Sequence, residues 1–293
     1  MSVVERAGMT IDIPYAEMLV SYACNLHCDG CQNYSNYALK GSVETAVSIA
    51  DMRAWSQRIS PRVFRILGGE PLLHPDLAQL IRVAAECWPN AQRTLVTNGL
   101  LINRRDDILE ALLETGTIIE VSIHSNDPKY LERMKPGMAA LKSWIAQGVR
   151  WNFGDSRGFI RTYRGIGKHM RPYNHDPVKA WIICSARECV NIYDSRLWKC
   201  PTISMLAKPL EKFGLTEHSD WKPFLEYKGM GLDATDEELG EFLRRGPEDI
   251  CKICPDSRDH YQKDVFNVDF EKLGERAEVH FTQVDFNKFL ENC

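Results

Sequence analysis

From Ala16 to Phe153 the chain alternates short apolar runs with longer segments whose apolar positions recur every three or four residues. The runs AEMLVSY (16–22), VFRIL (63–67), RTLVT (93–97), TIIEVSIH (117–124) and VRWNF (149–153) have strand length, and most are rich in β-branched or aromatic residues, so they predict strands. Between them, SVETAVSIADMRAW predicts a helix capped by Ser42 with Glu44 in its first turn. PDLAQLIRVAAECW places Leu77, Leu80, Ile81, Ala84 and Trp88 on one helical face. DDILEALLETG carries acids at its start and Gly116 where a terminating glycine belongs. PKYLERMKPGMAALKSWIAQG reads as a helix interrupted at Pro136.

This order predicts an α/β fold with a parallel sheet and helical crossovers. In such folds chemistry gathers at the C-terminal ends of the strands. The unusual residues fall there: Cys24 to Cys31 after the first run, Gly68 to Pro71 after the second, Thr97-Asn98-Gly99 after the third and His124 after the fourth. Beyond residue 165 the periodicity weakens and cysteines return at 184, 189, 200, 251 and 254. The expected division is a larger unit over 1–170 and a smaller one over 171–293.

Composition narrows the function. A chain of 293 residues, 44% of them hydrophobic, can bury a sizeable core without covalent staples. The net charge of −4 offers no basic field, so no nucleic-acid partner is expected. No window has the 18 or more apolar residues of a membrane span, and the start lacks the charged and apolar regions of a signal peptide. The expected location is therefore cytoplasmic, with no membrane partner. There, ten cysteines point to metal or redox chemistry rather than disulfides.

The stretch CNLHCDGC puts Cys24, Cys28 and Cys31 at i, i+4 and i+7. Three thiolates at this spacing can hold three irons of a [4Fe-4S] cube and leave the fourth iron open. Spacing alone also admits a zinc site completed by His27 or a distant residue. With GGEP (68–71), TNG (97–99) and VSIH (121–124) following in order, residues 15–125 resemble the radical S-adenosylmethionine (radical SAM) superfamily. The resemblance implies a partial (β/α) TIM-like barrel of about six parallel strands with a small C-terminal cluster-binding module. It implies that Cys24, Cys28 and Cys31 bind the cluster, and that Gly68, Gly69 and Glu70 recognise the methionine amino group of S-adenosylmethionine. Asn98 and Ser122 would line its ribose and carboxylate, with His124 and Glu120 on the same inward face as Ser122. Ile119, Val121 and Ile123 would then pack under helices. In this family an electron, from a partner such as flavodoxin or ferredoxin, breaks a sulfonium carbon–sulfur bond, and the 5′-deoxyadenosyl radical removes a hydrogen atom from substrate.

The later cysteines suggest a second site. CVNIYDSRLWKC (189–200) reads as a hairpin turning at Asp194-Ser195, which would set Cys189 about 5 Å from Cys200. CKIC supplies Cys251 and Cys254. The layout resembles the twitch module, a short relative of the SPASM domain, and implies an auxiliary [4Fe-4S] cluster. Cys184 and Cys189 compete for the first ligand position: hairpin geometry favours Cys189, the longer spacing common in the family favours Cys184. Structural zinc is the other reading of this group. Cys87 beside Trp88 reads as core and Cys293 as incidental.

Twitch-type relatives include oxidoreductases of sugars and aminocyclitols, and SPASM relatives mature peptides with a separate recognition domain. Only 23 residues precede Cys24, so a small polar substrate is expected: a sugar, aminocyclitol or nucleotide sugar, most simply dehydrogenated. Epimerisation, peptide maturation and a non-catalytic iron–sulfur role are the alternatives. Epimerisation would need a spare thiol at the pocket, whereas the unused one of Cys184 and Cys189 is expected beneath the C-terminal module. Candidate catalytic residues are Cys184, His124 and Glu120, and candidate substrate contacts are Arg65, Glu120, Arg150, Asn152, Arg161 and Tyr163.

Overall fold

The computed structural model describes residues 10–156, 158–244, 246–257, 261–263 and 285–293. Residues 1–9, on which the signal-peptide reading bears, lie outside the described residues, as does most of the chain after 257, where no further module is expected. The first half runs β1 (Ile11–Ser21), α1 (Thr45–Trp55), β2 (Ile59–Gly68), α2 (Leu77–Cys87), β3 (Gln92–Thr97), α3 (Leu109–Thr115), β4 (Ile118–Ile123), α4 (Pro128–Ala146) and β5 (Trp151–Asp155). Then follow β6 (Gly158–Ile160), α5 (Pro177–Ile183) and the hairpin β7 (Val190–Tyr193) and β8 (Arg196–Trp198). Short helices α6 (Pro201–Ser204), α7 (Ala207–Phe213) and α8 (Lys222–Glu226) lead to β9 (Met230–Gly231), α9 (Asp236–Leu243), β10 (Tyr261–Lys263) and α10 (Phe286–Glu291).

One sheet has the order β5-β4-β3-β2-β1-β7-β8-β9. The strands from β5 to β7 in this order are parallel, which gives the expected six, and β8 and β9 are antiparallel. The sheet thus draws strands from both sides of residue 170, because β7 pairs with β1 from Ala16↔Val190 to Met18↔Ile192. Separately, β10 pairs with β6.

Alternation sorts the side chains. Ile119, Val121 and Ile123 of β4 are buried in the main core, as are Phe64 and Ile66 of β2. Against them α2 buries Leu77, Leu80, Ile81 and Ala84, the stripe its periodicity predicts. Trp88 stacks near Phe64, ring centroids 4.2 Å apart, and donates its indole N–H to the Ile59 carbonyl at 2.9 Å. Gly116 ends α3 in the left-handed region at φ 63°, as expected.

Two helices depart from expectation. First, α1 starts at Thr45, after Glu44 and not Ser42. The backbone of Ser42 bridges Ser21, and Val43 N–H donates to Val20 O, so the chain stays extended along β1 before it coils. Second, α4 runs unbroken through Pro136. It buries Tyr130, Met134, Gly137, Met138, Leu141 and Trp144, and this packing offsets the roughly 3 kcal/mol that an interior proline costs.

Candidate active site

Four loops converge beyond the C-terminal ends of β1 to β4. Cys24, Cys28, Cys31, Gly68, Gly69, Asn98, Ser122 and His124 line one cavity there. The loop carrying the three cysteines is tied to the end of β2 by backbone bonds, Gly69 N–H to Ser21 O at 2.7 Å and Glu70 N–H to Ala23 O at 2.8 Å. A Cβ at Gly68 would stand 2.6 Å from Ser21 O, and one at Gly69 would run into Ala23 O. Both glycines are required by close backbone approach.

Glu70 is fully buried, and its side chain lies behind the cavity wall that Gly68 and Gly69 line. Its Oε1 accepts from Leu72 N–H at 3.0 Å and from the Thr97 hydroxyl at 2.7 Å, and its Oε2 accepts from Asn98 N–H at 2.8 Å. It is a strut joining GGEP to TNG. Burial raises its carboxyl to about 7, against the hydrogen bonds that pull it down.

Burial also raises the thiols of Cys24, Cys28 and Cys31 above the ordinary range. Three buried thiols in one loop become thiolates only with a compensating positive centre, which fits a thiolate-bound iron–sulfur cluster. His27 Nδ1 faces the Asn36 carbonyl at 3.4 Å. Among the described residues, no three His, Cys, Asp or Glu side chains are placed to hold a single metal ion, so the zinc reading gains no support. His124 Nδ1 lies 3.6 Å from Cys28 Sγ, and its ring packs near Phe159 with centroids 6.1 Å apart. Burial lowers His124 to about 4, so it is neutral at pH 7.

The expected substrate contacts are mostly engaged elsewhere. Arg65 pairs with Glu120 at 3.0 Å and lies over the Tyr15 ring, so these charges meet each other and not the cavity. Arg161 pairs with Asp29, inside the cysteine loop, and braces it. Tyr163 is buried, accepts from Asn36 Nδ2 at 3.2 Å and packs on Tyr34 and Tyr37. Arg150 and Asn152 are exposed. The cavity is instead completed by Glu17, Gln32, Asn33, Ser35 and Asn36, which sequence reasoning missed. Glu17 had a signal: an acid within the apolar run of β1. Among the described residues Glu17 is the only charged side chain lining the cavity, and neither Lys nor Arg contributes.

A second, more apolar cavity is lined by Cys184, Cys200, Cys251 and Cys254, with Trp181, Ile203, Ile250 and Ile253. The hairpin turns at Asp194-Ser195 as expected, both with positive φ (52° and 58°), although neither is glycine. The Ser195 hydroxyl and N–H both donate to Asp51 and fix this turn to α1. The pairing of Cys189 with Cys200 does not form. Strand pairing stops at Asn191↔Trp198, Cys189 N–H turns back to Ala186 O, and Cys200 opens α6. Cys184 therefore stands with the other three, and Cys189 lines the first cavity. The buried Lys199 borders the second cavity, paired with Glu248 and 4.4 Å from the Trp181 ring.

Known proteins resemble this arrangement. Residues 18–146 match the model of the Radical SAM superfamily. A "GTP 3′,8-cyclase" from Microcystis aeruginosa is 38% identical over 200 residues, 66% of this chain and 54% of the relative. One from Chlorobaculum tepidum is 35% identical over 118 residues, 38% of this chain and 32% of the relative. The chain thus spans between a third and about half of the length of these curated relatives. A solved structure of BtrN in complex with AdoMet and 2-DOIA covers 88% of this chain and 100% of BtrN, at 16% identity and a TM-score of 0.42. Over residues 18–146, then, the chain carries a Radical SAM superfamily domain.

Proposed function

We propose that the protein is a radical SAM enzyme acting on a small polyhydroxy substrate that is neutral or carries an amine. The observation that supports this is the makeup of one cavity: Cys24, Cys28 and Cys31 line it with Gly69, Asn98 and Ser122, and Glu17 is its only charged lining residue among those described. A [4Fe-4S] cluster held by the three thiolates, with S-adenosylmethionine, supplies one-electron carbon–sulfur cleavage and removal of a hydrogen atom from carbon. The chain's own residues position and shield. Gly68 and Gly69 let this loop close onto the backbone of Ser21 and Ala23, and Asn98 and Ser122 offer hydrogen bonds to the cofactor. Glu70 holds the second and third loops together from behind, and Arg161 with Asp29 braces the cysteine loop.

Cys184, Cys200, Cys251 and Cys254 form a closed donor set for a second [4Fe-4S] cluster. Their apolar surroundings suit a buried cluster that takes no substrate. An electron carrier of the flavodoxin or ferredoxin class would reduce the protein.

The names of the relatives favour a second reading, a purine nucleotide as substrate. A triphosphate carries several negative charges and is ordinarily met by Arg or Lys, which the described cavity wall lacks. The test uses protein reconstituted with iron and sulfide without air, then reduced. It should convert S-adenosylmethionine to 5′-deoxyadenosine, and replacing Cys24, Cys28 and Cys31 together by Ala should end this. Undiminished conversion by the triple variant refutes the assignment. Stimulation of the conversion by GTP, with none by amine-bearing sugars or cyclitols, would select the nucleotide reading.

A further inference from the structure

We propose that Cys189 is a hydrogen-atom donor to the substrate, so that the reaction inverts a carbon centre without net oxidation. This rests on the radical SAM reading above and deepens it. The expected dehydrogenation assumed that the cysteine left over from the second site lies beneath the C-terminal module. The structure places it in the cavity that holds Cys24, Cys28 and Cys31.

Three observations converge. Cys189 carries a thiol and not a disulfide, and the second cavity already has four cysteines without it. It stands just before β7, whose Asn191 is beside Glu17 in the parallel β1–β7 pair, and it lines the cavity together with Glu17. The same cavity holds buried polar atoms that have no partner among the described residues, Ser35 Oγ and Asn36 Oδ1, on residues only 1% and 3% exposed. Such atoms await hydrogen bonds from a bound polar molecule. A polar ligand and a thiol therefore meet in one chamber.

The chemistry balances as follows. Removal of hydrogen from a substrate C–H leaves a carbon radical. The Cys189 S–H bond is weaker than a C–H bond of a sugar or cyclitol, so the carbon takes the thiol hydrogen and a sulfur radical remains on Cys189. One electron from the flavodoxin- or ferredoxin-class carrier and one solvent proton restore the thiol. Delivery from the face opposite the abstraction gives the inverted centre. Each turnover uses two electrons, one for cofactor cleavage and one for the thiol, and the substrate gains and loses one hydrogen atom.

The test needs no identified substrate. Reduced protein is given S-adenosylmethionine alone in deuterium oxide, where the thiol exchanges to S–D. With no substrate between them, the Cys189 S–D bond is the weakest bond to hydrogen that the 5′-deoxyadenosyl radical can meet in the cavity, so at least half of the 5′-deoxyadenosine should carry one deuterium on carbon. In Cys189→Ala the labelled fraction should fall at least tenfold, and Cys189→Ser should behave alike because an O–H bond is too strong to donate. A second readout is independent of turnover: S-adenosylmethionine should slow alkylation of Cys189 by iodoacetamide at least tenfold, mapped by peptide mass spectrometry. Iron per chain should match the parent in Cys189→Ala. Unlabelled 5′-deoxyadenosine from the parent, an unchanged alkylation rate, or loss of iron in the variant would each overturn the role of Cys189 while leaving the radical reading intact. Absence of any 5′-deoxyadenosine would instead overturn the radical reading itself.

Discussion

The molecule contains two groups of cysteines that look alike in sequence and differ in what surrounds them. Cys24, Cys28 and Cys31 lie on one loop at the rim of the parallel sheet, in a cavity with Asn, Ser and Glu side chains. Cys184, Cys200, Cys251 and Cys254 come from three separate segments and close around a pocket with Trp and Ile. Under the function proposed above, the three cysteines on a polar wall would leave one iron open to S-adenosylmethionine and space beside it for a substrate. The four cysteines in an apolar wall would saturate a cluster and leave no such opening.

Removal of a thiol from the closed set gives the largest stability effect. Cys254→Ala should lose about four of about eight irons per chain, and it should destabilise the C-terminal elements by several kcal/mol because metal binding is coupled to folding. Iron analysis and thermal unfolding without air read both quantities. An unchanged iron content would mean that the four cysteines hold no cluster. Next in size is Gly69→Ala, whose Cβ meets Ala23 O and Ser35 Oγ. Overpacking of this kind costs about 1–3 kcal/mol, and it should weaken S-adenosylmethionine binding in calorimetry without changing the iron count of the second site. Equal loss at both sites would erase the distinction between them.

The brace of the open site should matter less. Arg161→Met takes the guanidinium away from the Asp29 carboxylate in a largely buried position, and we expect a loss of about 1–3 kcal/mol measured by denaturant unfolding. The last effect is a pH dependence, confined to one group. The Glu70 carboxyl is raised to about 7 in the fold from an ordinary 4.5, so its protonated form is favoured by folding. The stabilisation is complete below about 4.5 and disappears as pH rises through 7. Glu70→Gln should flatten this part of the stability curve, and an unaltered slope between pH 5 and 7 would assign it to another group.

What the sequence made legible was local. The strand-to-loop positions of Cys24, Gly68, Asn98 and His124 follow from short apolar runs and their breaks, and they do meet in one cavity. The two-residue turn at Asp194-Ser195 was likewise readable from spacing. Which cysteine stands beside Cys200, Cys251 and Cys254 was not, because it depends on where two paired strands part and on α6 starting directly after Cys200. Arg65 and Arg161 read as free cations in sequence, since the carboxylates that take them, Glu120 and Asp29, are 55 and 132 residues distant. Pro136 misled for a related reason: local propensity says nothing of how much surface a helix buries.

The pairing of β7 with β1 bears on any attempt to produce the radical SAM domain alone. A protein cut near residue 170 would uncover the edge of β1 from Ala16 to Met18, which with the adjoining Leu19 and Val20 is among the most deeply buried stretches described. An apolar edge of this kind pairs readily with another copy of itself. Soluble expression of the domain would therefore call for a charged or proline substitution along that edge, or for keeping the chain through β9, which covers the outer side of β8.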